Sequence, residues 1–122
     1  MLLVALACEA PTDTAPDGPL VSDEGIYELV LTHTPDPPVA GDTTLLVELS
    51  AADAAVEGAT LSVEPWMPAH DHGISEVPEV TDDGGGLYTA TFAYSMAGTW
   101  ELYFDISADP GVDTAVATVE VE

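Results

Sequence analysis

From about Gly25 to Glu122 the chain alternates apolar and polar residues with a period of two, segment after segment, and carries no helical spacing. Successive side chains of an extended strand point to opposite faces, so this pattern builds sheets with one buried side. Ile26 to Thr34 sets Tyr27, Leu29 and Leu31 against Glu28, Thr32 and Thr34, and Pro35, Pro37 and Pro38 end it. Thr43 to Ser50 sets Leu45, Val47 and Leu49 against Thr44, Glu48 and Ser50; Ala59 to Trp66 sets Leu61 and Val63 against Thr60, Ser62 and Glu64. Leu87 to Tyr94 directs Tyr88, Phe92 and Tyr94 one way, and Thr99 to Ser107 does the same with Trp100, Leu102, Phe104 and Ile106. After the turn Asp109-Pro110-Gly111, Thr114 to Glu122 directs Ala115, Ala117, Val119 and Val121 inward. The pattern predicts an all-β fold, an antiparallel immunoglobulin-like β-sandwich of six to seven strands, in preference to an open barrel. Trp100→Ala is the substitution expected to damage it most.

The longest irregular connection is Met67 to Gly86, which has room for a short edge strand near Ile74 to Val80. Its run Asp82-Asp83-Gly84-Gly85-Gly86 lacks the spaced oxygens of a calcium loop and reads as a flexible turn. A chain of 122 residues, 47% of them hydrophobic, suffices for one compact domain, assigned to residues 25–122. Residues 8–24, rich in Pro, Thr and Asp, read as an acidic tether.

Twenty-three Asp and Glu against no Lys or Arg give a formal net charge of −23. Nucleic-acid binding is excluded on this basis, because phosphate neutralisation needs basic side chains, and docking on anionic headgroups is disfavoured for the same reason. Burial and backbone hydrogen bonds must hold the fold against self-repulsion, which predicts a stability that depends on salt.

Cys8 is the only cysteine, so an internal disulfide is ruled out. The apolar run Met1-Leu2-Leu3-Val4-Ala5-Leu6-Ala7 before it resembles the end of a bacterial lipoprotein signal peptide, with residues 1–7 as the signal remnant and Cys8 as the lipidation site. That reading places the protein in the cell envelope, periplasmic or extracellular, held to the membrane by a lipid anchor only. The rival reading is an N-terminal strand with a buried free thiol.

One cluster carries chemistry. Trp66-Met67-Pro68-Ala69-His70-Asp71-His72-Gly73 sets a thioether and two of the three histidines within six residues, and Met96 lies in the turn-like Tyr94-Ser95-Met96-Ala97-Gly98-Thr99-Trp100. His70 and His72 would point to opposite faces of a strand, so they can share an ion only if the chain turns between them. Pro68 and Gly73 favour such a turn. Met67, His70, His72 and Met96 then form a candidate metal site of mixed softness that suits Cu(I), with Met96 the decisive member. Cu(II) would prefer the imidazoles with Asp71 or a backbone group; zinc gains little from thioethers. The alternative is a polar surface loop with Met96 filling a gap in the core. His33, beside Pro35, reads as a surface or hydrogen-bonded histidine rather than a ligand.

These residues carry a family resemblance. From about Gly25 the chain resembles the YtkA-like domain family, related to FixH-type proteins, through the Met67-Pro68-Ala69-His70 turn after a central strand, Gly86-Leu87-Tyr88, and Ser95-Met96-Ala97-Gly98-Thr99-Trp100. The resemblance implies a small extracytoplasmic sandwich, and FixH-type relatives imply copper as cofactor and a copper-accepting or copper-donating envelope protein as partner. FixH proteins carry a transmembrane anchor, a departure from the lipid anchor read here. Without Lys or Arg to stabilise an anionic transition state, and without an oriented nucleophile and base, the chain is not expected to be an enzyme. Two functions stand: a monomeric copper-binding accessory lipoprotein acting as carrier or buffer, and a structural or interaction module with no metal.

Overall fold

The computed structural model describes residues 19–122. The expectations for the signal remnant, for Cys8 and for most of the tether lie outside those residues. The strands are β1 (Leu20–Val21), β2 (Glu28–Thr34), β3 (Gly41–Ala51), β4 (Ala54–Ala55), β5 (Thr60–Met67), β6 (His72–Gly73), β7 (Glu79–Gly84), β8 (Leu87–Tyr94), β9 (Gly98–Ala108) and β10 (Gly111–Val121). No helix among the described residues is long and apolar enough to cross a membrane.

Every pairing is antiparallel. One sheet runs β10-β9-β5-β6, and the other runs β1-β2-β3-β8-β7 with β4 added to β3. Without the three two-residue strands, the orders become β2-β3-β8-β7 and β5-β9-β10, the seven-strand connectivity of constant-type immunoglobulin domains. The inward parities predicted from sequence fill the space between the sheets: Tyr27, Leu29, Leu45, Val47 and Leu49 meet Trp100, Leu102, Phe104 and Ile106, all at most 2% exposed. Each such side chain stabilises the fold by about 1.5–3 kcal/mol.

Three segments differ from the sequence-based expectation. The tail of the predicted tether belongs to the sandwich, since Leu20–Val21 pairs with β2 and Ser22 is buried. The long connection after Met67 is split: β6 pairs with β5, and β7 begins only at Glu79 and pairs with β8 in the opposite sheet. Asp82, Asp83 and Gly84 are strand, with a bulge between Asp82 and Gly84, and Asp82 accepts hydrogen bonds from the Gly58 and Gly84 amides. Only Gly85 and Gly86 remain as the turn.

With no lysine or arginine available, hydroxyl and amide groups satisfy the carboxylates. Ser22 donates to Asp113, Thr114 to Asp23, Thr89 to Asp83, Thr99 to Glu120 and Tyr103 to Glu101. Asp113 is itself buried, and the amides of Glu24, Ile26 and Thr114 complete its shell. It thereby clasps the β1–β2 turn to the start of β10. The outer edge of β10 is covered at its two ends: the Asp23 amide donates to the Thr114 carbonyl, and Glu122 exchanges hydrogen bonds with Ala40 and Pro38.

Candidate metal centre

β5 carries Leu61, Val63, Pro65 and Met67 on its inner face, so Met67 ends the strand inside the core at 1% exposure. The chain then reverses at once. The His70 amide donates to the Met67 carbonyl (3.2 Å) and the Asp71 amide to Pro68 (3.3 Å). Asp71 sits at φ 55°, in the left-handed region that Asp tolerates better than most residues. This is the turn that the His70–His72 spacing requires. It brings His72 opposite Met67 and Gly73 opposite Trp66 in the β5–β6 pairing.

The two imidazoles consequently stand side by side, ring centroids 5.8 Å apart at an angle of 30°. Rings that share one ion through nitrogens at about 2.0–2.1 Å have centroids separated by about 5–6 Å, so the spacing fits joint ligation. His70 is exposed and His72 half-buried. Nδ1 of His72 lies 2.9 Å from the Gly73 carbonyl, which can only accept. Nδ1 therefore carries the hydrogen, and the lone pair of the neutral ring is on Nε2; a backbone carbonyl that fixes tautomer and ring angle is the usual support of a metal-binding histidine.

Met96 lies in the turn between β8 and β9. Its carbonyl accepts the Trp100 indole N–H at 3.0 Å, and its side chain is 36% exposed. The two methionines thus occupy different environments: Met67, not Met96, fills the core, and Met96 stands at the rim. The turn is drawn down onto Met67, whose terminal methyl packs against Gly98 at φ +139°, leaving no room there for a Cβ. The fold brings together Met67, His72 and His70, and the turn that carries Met96 meets this group where Gly98 packs on the Met67 methyl. Among the described residues no three of His, Cys, Asp and Glu are grouped to hold an ion. An ion at the histidine pair would need further ligands other than His, Cys, Asp or Glu side chains, and thioether sulfur in that role would favour Cu(I) over zinc.

His33 belongs to the same end of the sandwich. It continues the inward parity of Leu29 and Leu31, and its Nε2 lies 2.9 Å from the Tyr94 hydroxyl, with the rings stacked at 6.1 Å. Tyr94 packs on Trp100 (5.3 Å), and Trp100 meets the edge of His72 (5.9 Å, 72°). Burial pushes the Tyr94 phenol far above its ordinary value, so it stays protonated. Burial also lowers the His33 pKa, against an opposing pull from Asp36. Tyr94 and Trp100 were legible as core, but their role in joining His33 to the histidine pair was not: contacts across the two sheets leave no mark in strand periodicity. Cys8, the expected lipidation site, lies outside the described residues.

The described residues define the class as a small all-β protein, an antiparallel two-sheet sandwich with the Met67-Pro68-Ala69-His70 turn at one end. The YtkA-like family matches residues 22–105, and the protein belongs to that family. Comparisons with curated proteins and with solved structures found no match.

Proposed function

We propose that this protein is an extracytoplasmic, lipid-anchored accessory protein that binds copper through Met67, His70, His72 and Met96 and acts as a non-catalytic carrier or buffer. The observation that carries the reading is the turn at Asp71, which sets two imidazoles 5.8 Å apart beside a core methionine. His70 and His72 would supply nitrogen ligands, Met96 an accessible thioether from the rim, and Met67 a buried one beneath. Copper held this way would be kept in its reduced, soft-ligand state and passed to an envelope protein offering similar ligands. The field of the surrounding carboxylates raises the local concentration of any cation.

A second reading, a metal-free interaction module, is favoured by the 1% exposure of Met67, whose packing against Gly98 gives it a structural role of its own. Competition for Cu(I) against a chromophoric chelator separates the two. The full-length chain should carry Cys8→Ser, so that its only thiol cannot bind the metal. Loss of copper retention in His70→Ala, His72→Ala and Met96→Ala is expected; retention unchanged in all three variants overturns the copper reading.

A further inference from the structure

The chain has eight tryptophan, tyrosine and phenylalanine residues, all within the described region. Six of them are buried: Tyr27, Tyr88, Phe92, Tyr94, Trp100 and Phe104. The remaining two, Trp66 and Tyr103, stand together on the outer face of the four-stranded sheet, where they line a cleft of about 230 Å³ with Glu64. Tyr103 is 40% exposed and Trp66 half-buried.

Strand register sets the geometry of this face. Tyr103 is opposite Glu64 and Trp66 is opposite Glu101 across the β5–β9 pairing, so the two aromatics occupy one diagonal and the two carboxylates the other. Diagonal neighbours lie about 7–8 Å apart, within reach of aromatic side chains. Both rings line the cleft, so a flat group entering it meets both. Tyr103 donates to Glu101 at 2.6 Å, which fixes the phenol, and the Trp66 indole packs over Gly73, where a Cβ would meet it at 3.5 Å. Both walls of the cleft are thus braced, and Val116, opposite Tyr103 on β10, flanks the phenol on the side away from Trp66.

We propose that this face is a docking site for a basic partner protein, which inserts an arginine side chain between Trp66 and Tyr103 with its guanidinium paired to Glu64 and Glu101. Charge complementarity identifies the partner: a chain of net charge −23 repels a second copy of itself and attracts a cationic surface. That field acts everywhere on the molecule. Only here does it meet exposed aromatic faces, and stacking on aromatics together with two-point carboxylate pairing selects the planar guanidinium over the compact ammonium of lysine. The proposal does not depend on metal binding, although Trp66 directly precedes Met67 and a docked partner would sit beside the histidine turn.

The test is fluorescence anisotropy of a dye-labelled, end-blocked peptide with two arginines separated by glycine, titrated with the full-length Cys8→Ser chain at ~0.15 M salt. A lysine peptide of the same length serves as comparison. Arginine is expected to bind more tightly than lysine. Tyr103→Ala and the pair Glu64→Gln/Glu101→Gln should each weaken binding about tenfold. The charge-matched pair Glu28→Gln/Glu48→Gln, on the outer face of the other sheet, should change it by less than about twofold. Circular dichroism confirms folding, and because Tyr103 is exposed its removal leaves the core intact. Equal binding of the two peptides, equal loss from both carboxylate pairs, or no loss from Tyr103→Ala overturns the proposal. So does sedimentation showing a dimer of the chain that Tyr103→Ala dissociates, since the face would then belong to a second copy.

Discussion

The terminal methyl of Met67 lies so close to Gly98 that a Cβ at position 98 would stand 2.5 Å from it. Gly98 also has φ +139°, where side chains are rarely accommodated. Gly98→Ala is therefore expected to destabilise the domain by about 1–3 kcal/mol through overpacking and backbone strain. Urea denaturation measures it. In a double-mutant cycle Met67→Ala should cost less in the Gly98→Ala background than in the native chain, and strictly additive losses would contradict the contact.

Stability should fall in mild acid because of His33. Burial lowers its pKa in the fold below the ordinary value of about 6.5, while Asp36 opposes the shift only in part. The unfolded chain therefore binds the proton more readily, and the contribution is complete above about pH 6.5, declines as the pH falls through that value, and levels off below the folded pKa. Melting curves of the native chain and His33→Phe from about pH 8 to about pH 5 should diverge in shape over this window. Parallel profiles would show that the His33–Tyr94 contact titrates alike in the folded and unfolded states.

Asp113 should act in the opposite sense and at lower pH. Desolvation pushes its carboxyl up, but the hydrogen bonds from Ser22, Thr114, Glu24 and Ile26 together outweigh that and hold it below the usual range. Its stabilisation is present above the unfolded carboxylate pKa of about 3.9 and is lost as pH falls through the lower folded value. Asp113→Asn is expected to lower the melting midpoint by several degrees at neutral pH, with the gap to the native chain closing in strong acid. A gap independent of pH would assign the effect to packing alone.

Salt should raise the melting midpoint. Self-repulsion of a net charge of −23 is spread over the surface, and the screening length falls from about 30 Å at 0.01 M to about 10 Å at 0.1 M. Most of the gain is expected below about 0.2 M, where that length drops under typical charge separations. A flat midpoint from low to high salt would mean that the carboxylates are too dispersed to oppose folding.

Six of the seven long strands were legible because each buries one face, so Trp100, Leu102, Phe104 and Ile106, or Ala115, Ala117 and Val121, announce themselves by parity, whereas β7 has no buried residue and carries no such signal. The same rule, extended by one step, also held information that sequence reasoning left unused. Met67 continues Leu61, Val63 and Pro65 inward; His33 continues Leu29 and Leu31; Asp113 shares the parity of Ala115 and Ala117, and an inward carboxylate needs donors. What periodicity does not encode is register. The two-residue β6 and the late start of β7 follow from the turn at Asp71 and from a bulge at Asp82–Gly84, neither of which alters the alternation of apolar residues.

Between its two covered ends β10 leaves a stretch bare among the described residues. Thr114 and Glu122 use their outward backbone groups on neighbouring segments, and by the same parity Val116, Thr118 and Glu120 turn theirs to solvent. Such an edge, unbroken by proline and rich in β-branched residues, is a template on which a further strand can grow. No lysine guards it, so solubility depends on the collective charge of the molecule rather than on any local device. Near its isoelectric point of about 4.1, with that charge discharged, the chain should pass from dispersed molecules to ordered aggregate along this strand.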